Sequence, residues 1–209
     1  MSVLTIKNCS FSDNYLTFGS DFSDLSQGGA IYNNGIATIS NLTFSYNQIG
    51  FHGMSNGQGG VIFNEAGKPE LVNCFFMSNE VGINNSDGFS SGGAIYNLGL
   101  LNLSAINNGT FSFRYNEALK GDGGAIYNSG TVSVANASFR ENKAEGLGGT
   151  ILNTGKLEIN DGYFYGNKSS GNGGAIYNQD TVNIFATTAK LEFEVFNIRT
   201  RWGNLKYKL

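Results

Sequence analysis

The 209-residue chain has one proline, one histidine and two cysteines. Each scarcity removes a class of protein. Thirty glycines beside a single proline exclude collagen and Pro/Gly-rich linkers, which are rich in both residues. Charged residues make up 14% against 13% aromatics, so the chain is not a disordered solvating tail. Two cysteines alone form no disulfide framework. No run is long and apolar enough for a transmembrane segment. The start, MSVLTIKNCSFSDNY, lacks the basic stretch and apolar run of a signal peptide. Basic charge is also short in the body: residues 1–189 hold 8 basic and 14 acidic residues, and 190–209 hold 5 and 2. An acidic body gives no footprint for nucleic acid. The five basic residues of the tail read as solvated charge.

What the chain has in abundance is repetition. GGAIYN stands at 28–33, 92–97, 123–128 and 173–178, with GGVIFN at 59–64 and GGTILN at 148–153. The glycine pairs are spaced by 31, 33, 31, 25 and 25 residues. Between them runs F-x-x-N: FSDN at 11–14, FSYN at 44–47, FMSN at 76–79, FRYN at 113–116, FREN at 139–142 and FYGN at 164–167. The shortest unit, 123–147, divides into AIYN, TVSV and ASFREN, three β-like runs separated by turn residues. No segment keeps a 3.6-residue period. Three strands per repeat, many repeats and no helix predict an all-β parallel β-helix of about six coils of three short strands.

Stacking the coils turns the motifs into columns. Ile31, Ile62, Ile95, Ile126, Ile151 and Ile176 form one, and Phe11, Phe44, Phe76, Phe113, Phe139 and Phe164 a second. Both are predicted to face the core. Asn33, Asn64, Asn97, Asn128, Asn153 and Asn178 form an amide ladder, as do Asn14, Asn47, Asn79, Asn116, Asn142 and Asn167. A third column is Asn8, Asn41, Asn73, Asn136 and Asp161. Asparagine tolerates the left-handed conformation of a turn, and stacked amides satisfy one another. Asn41 and Asn136 precede x-Ser/Thr, but a turn buried between coils argues against their glycosylation. Cys9 and Cys74 share an inward slot two coils apart, beyond disulfide reach, and are expected to be buried, reduced thiols. The slot of Tyr32, Phe63, Tyr96, Tyr127, Leu152 and Tyr177 has the opposite parity. It is expected as an outer aromatic stripe, able either to take sugar rings or only to stack coil on coil.

Paired GGAI and FxxN motifs in alternation resemble the repeat of the chlamydial polymorphic membrane proteins and of adhesin-like surface proteins that share GGAIYN coils. The resemblance covers residues 3 to about 184. It implies a right-handed single-stranded β-helix at the cell surface or outer membrane, or secreted, often an autotransporter passenger with a role in adhesion. It carries no catalytic residues and no cofactor. The chain begins inside a coil, which suggests part of a longer solenoid. Residues 1–184 are therefore read as β-helix repeats and 185–209 as an atypical C-terminal segment. There KLEFEVFNI, 190–198, is either a cap strand or sequence foreign to the fold.

Candidate contacts lie where the repeat is interrupted. The linkers 15–27, 48–58 and 80–91 are long and leave the coils at one corner. They carry Tyr15, Phe18, Phe22, Phe51, His52, Met54 and Phe89, which either meet a host-surface protein or glycan or fold back over the flank. No catalytic, cofactor or metal site is legible. His52 has no identifiable nucleophile partner, and the acidic residues fall in different slots. GGAIYN lacks the third glycine and the aspartate of calcium-binding repeats. The sequence therefore predicts a non-catalytic adhesin-type solenoid. The alternatives are a fragment of a polysaccharide-processing, pectate-lyase-like β-helix and a passive stalk.

Overall fold

The computed structural model describes residues 2–17, 25–53, 56–85, 89–186, 192–194, 199–200 and 205–208. The chain winds as a right-handed β-helix in which every strand pair is parallel, and the motifs fall into register. One wall stacks Ile31–Asn33, Ile62–Asn64, Ile95–Asn97, Ile126–Asn128, Ile151–Asn153 and Ile176–Asn178. All six isoleucines are buried. The phenylalanine column stacks ring on ring, with centroids 4.6–5.4 Å apart from Phe11 to Phe164. Its members are buried except Phe11, which is half-buried in the first coil.

Two glycines open each wall strand for different reasons. Gly123 has φ +66°, and a Cβ there would strike the carbonyl oxygen of Ile126. Gly124 has no such dihedral, but a Cβ on it would strike the carbonyl of Gly149 in the next coil. The first glycine makes the turn and the second lets adjacent coils approach.

The other two walls differ from the sequence expectation. The second and third runs belong to one extended sheet, and in Thr131–Arg140 and Lys156–Tyr165 they fuse into single ten-residue strands. The remaining wall is built from the starts of the linkers: Tyr15–Leu16, Gln48–Gly53, Glu80–Asn85, Glu117–Ala118, Lys143–Ala144 and Lys168–Ser169. Ile49, Val81 and Ala118, with Leu16 against them, form a second apolar cluster inside it. This inward column stands two residues after each FxxN asparagine, within the stretches expected as linkers, and carries no common residue type.

The two buried asparagine columns are continuous ladders. Along the first, Nδ2 donates to the next Oδ1 from Asn33 through Asn178 at 2.6–2.9 Å. Along the second, from Asn14 to Asn167, each Oδ1 accepts both the Nδ2 and the backbone N–H of the preceding coil's asparagine. From Asn47 onward each Nδ2 also donates to the carbonyl of the column phenylalanine one coil back. Neither column uses the left-handed conformation. In FxxN it falls on the residue before the asparagine: Asp13, Tyr46, Ser78, Tyr115, Glu141 and Gly166, with φ from 52° to 62°. That residue makes the corner and leaves the asparagine side chain free to point inward.

Three further expectations are corrected. Asn8, Asn41 and Asn136 do have positive φ, but they are exposed turn residues rather than buried ones. Cys74 is buried, but Cys9 is exposed, because its coil is covered only from the side of the second coil. The tyrosine slot is no open stripe: Phe63, Tyr96, Leu152 and Tyr177 are buried, and Tyr32 alone in the column is as much as 50% exposed. From Tyr32 to Tyr127 the rings stack at 4.3–5.5 Å, so each covers its neighbours.

Beyond the last GGAIYN, Glu192–Glu194 pairs with Tyr163–Tyr165, Arg199–Thr200 with Tyr177–Asn178, and Leu205–Lys208 with Val182–Phe185. Asn116→Ala, in mid-ladder, should lower the unfolding free energy by about 3 kcal/mol, since it orphans several buried donors and acceptors. Asn14→Ala, at the ladder's end, should cost about 1 kcal/mol, since its Oδ1 receives no rung. Urea unfolding midpoints compare the two, and equal losses would contradict the ladder account. An aromatic disulfide reagent should titrate one thiol, Cys9, in the native protein and both after unfolding.

Candidate ligand groove

Strand parity sends the residues on either side of each buried column phenylalanine outward. The preceding slot reads Ser10, Thr43, Phe75, Ser112, Ser138, Tyr163. The following slot reads Ser12, Ser45, Met77, Arg114, Arg140, Tyr165. From the third coil on, aromatic side chains enter the preceding slot at Phe75 and Tyr163, and arginine enters the following slot at Arg114 and Arg140. Between them lies a groove of about 660 Å³, with Phe75 toward one end, Tyr163 at the other and the small Ser112 and Ser138 between. Three coil steps separate Phe75 from Tyr163, about 14 Å.

An inserted turn forms the rim. Residues 105–110 stand where the neighbouring coil has Asn136 alone. Asn107 and Asn108 both take positive φ, the conformation of a tight turn that asparagine tolerates. The turn closes through the Gly109 N–H to the Ile106 carbonyl, 2.8 Å, and is tied down by Asn73 Oδ1, which accepts from the Ile106 N–H at 2.9 Å. Asn73 Nδ2 still donates to Asn41 Oδ1 at 3.4 Å in the third ladder, and its Oδ1 takes the insertion in place of a further asparagine. Gly109 and Thr110 line the groove, and Ile106 is 48% exposed beside it.

The arginines are held by their surroundings. Arg114 and Arg140 are register partners on adjacent coils. The Arg140 guanidinium lies 4.6 Å over the Tyr163 ring, and its Nε donates to Ser138 Oγ at 3.1 Å. Arg114 lies 5.5 Å from the Tyr115 ring. Among the described residues the ion pair is Lys143 with Glu117 on another wall; Arg114 and Glu141 both bond the Tyr115 hydroxyl, but neither groove arginine has a described carboxylate at ion-pair distance. Asp161 sits in the lining below Tyr163 and makes an interaction of its own.

The linker residues named from the sequence are placed differently. Tyr15 is half exposed on the third wall, with its hydroxyl against the backbone of Gly50. Phe89 is 56% exposed, and its N–H donates to Asn56 Oδ1 at 2.7 Å. Phe18, Phe22 and Met54, and the side chains of Phe51 and His52, lie outside the described residues. The linkers do run side by side, since Leu25–Gln27 pairs with Asn56–Gln58 and Gln58 bridges to Ser91. Sequence reading missed the groove residues because the outward slots vary from coil to coil. The signal was there in the change from Ser/Thr to Phe, Tyr and Arg.

Among the described residues no three His, Cys, Asp or Glu side chains gather to hold a metal ion. No helix there is long and apolar enough to cross a membrane.

With the coils in place, the comparison is direct. Residues 110–129 and 161–179 match the Chlamydia polymorphic membrane protein repeat. Both stretches run from the third-run strand through FxxN to GGAIYN, and each contributes to the groove: Phe111, Ser112 and Arg114 from one, Gly162 and Tyr163 from the other. The unit between them carries GGTILN in place of GGAIYN. No curated protein and no solved structure matches the chain.

One buried charge gives the linker side a pH dependence. Asp122 is 8% exposed, and burial pushes its carboxyl up, partly offset by the Leu147 N–H it accepts at 2.6 Å. The folded state therefore holds this proton to higher pH than the unfolded chain. Stability falls as pH rises from the ordinary value of 3.8 through the raised one, and is level above it. Asp122→Asn keeps an acceptor oxygen and removes that loss. Its stability relative to the native protein should rise between about pH 3 and 7 in urea titrations, and a constant difference would refute the assignment.

Proposed function

We propose that this chain is a non-catalytic binding module of the adhesin or autotransporter-passenger type, displayed at the cell surface or secreted, that contacts a host-surface protein or glycan. The observation that carries the reading is the groove: the exposed Phe75, the half-buried Tyr163 and two exposed arginines line one depression on coils locked by buried ladders. Such rigidity suits recognition, because little ordering entropy remains to be lost on binding. Likeness to the chlamydial surface repeat supports the location. Tyr15, on the third wall, and Phe89, beside Asn56, are further exposed aromatics on the long linkers. Residues 1–184 are the repeat body in this reading, and 185–209 an atypical segment that caps it.

Beads coated with the full chain should adhere to epithelial cells. Phe75→Ser with Tyr163→Ser should cut adherence about tenfold, as loss of central aromatic anchors does. Both side chains point outward, so circular dichroism should be unchanged. Failure of the native beads to adhere would leave a passive stalk, and unaltered adherence in this variant would take the groove out of the contact. Release of unsaturated or reducing sugar ends from polysaccharides by the native chain would establish the enzymatic alternative.

A further inference from the structure

We infer that the groove takes an acidic polysaccharide, a linear chain bearing carboxylate or sulfate groups; this rests on the binding-module reading above. Charge comes first. Arg114 and Arg140 stand on adjacent coils in register, about 4.8 Å apart at their Cα atoms. Two positive side chains on neighbouring coils disfavour each other, and neither meets a described carboxylate within ion-pair distance. Asp161 places one negative charge at the Tyr163 end, so the described lining keeps an excess of one positive charge. An anion lying between the arginines relieves the repulsion and accepts their paired N–H donors, which match the planar geometry of a carboxylate or the oxygens of a sulfate. Arg140 is already oriented by its stack on Tyr163 and its bond to Ser138.

The rest of the lining favours sugar over peptide. An acidic peptide binding in extended form would seek a free strand edge for its backbone. The groove instead lies on a sheet face, where the backbone groups are committed to the coils above and below. What the face offers is hydroxyls and an amide, from Thr43, Thr110, Ser112, Ser138 and Asn136, with the aromatic side chains of Phe75 and Tyr163 about 14 Å apart. Hydroxyl donors and acceptors along a strip with aromatic plates near its ends suit the polar edges and C–H faces of pyranose rings. The strip runs along the helix axis and is open to solvent, so it takes the interior of a long chain.

Isothermal calorimetry with the full chain tests this, using oligosaccharides of polygalacturonate, hyaluronan and chondroitin sulfate, dextran as the neutral probe and a poly-glutamate peptide. The acidic oligosaccharides should bind and weaken with added salt, and dextran and the peptide should not bind. Arg114→Gln with Arg140→Gln should weaken acidic-sugar binding at least about tenfold, whereas Lys68→Gln with Lys156→Gln, an equal loss of charge away from the groove, should change it little. Equal loss in the two variants, binding of dextran alone, or binding of the peptide alone would each overturn the inference. If native beads adhere to cells while no acidic oligosaccharide binds, this inference fails and the binding-module reading stands. If neither occurs, both fail.

Discussion

The spacing between coils governs everything else in this molecule. Parallel strands hydrogen-bond at about 4.8 Å, and every repeated side chain must be comfortable at that distance from its own copies. Phenylalanine rings stack at it, isoleucines pack at it, and asparagine amides bridge it with both donor and acceptor. The second glycine of the first five pairs exists because the backbone of the next coil comes too close for a Cβ. A motif repeated six times is thus the same solution to one distance, applied once per coil.

The buried amides set the tolerance of the fold. Each rung of the second ladder leaves no polar atom wanting, and a chain of like bonds in an apolar interior discourages slippage of one coil against another. Coil length is meanwhile unconstrained outside the register positions. The linkers shrink from long to short along the chain, and six residues stand opposite a single asparagine, without disturbing either column. Function can therefore vary in outward slots and insertions while the interior stays the same.

That division explains the groove. Its floor is core: Phe76 and Phe111 belong to the inside of the coil. Its working groups are outward residues that no ladder restricts, and its rim is an insertion held by the last rung of the third ladder, Asn73. The matched repeat stretches supply both classes of residue. Likeness in the repeat therefore speaks for the coil and leaves the recognised partner to the residues between the motif letters.

The sequence by itself determined the repeat, its all-β character, the two core columns and the two buried amide ladders, because a residue stacked on its own copies must recur in register. It could not show which wall the linkers build. Leu16, Ile49, Val81, Ala118 and Ala144 share burial rather than identity, so the column has no common letter. Nor could it place the left-handed corner of FxxN, which falls on Asp, Tyr, Ser, Glu or Gly alike because there the backbone, not the side chain, is selected. Tertiary structure alone decided that Tyr96 and Tyr177 are covered while Cys9 is not, since exposure depends on what lies on the neighbouring coils. It alone brought Phe75, Arg114, Arg140 and Tyr163 together, four residues spread over 89 positions that meet because winding stacks every coil on the last.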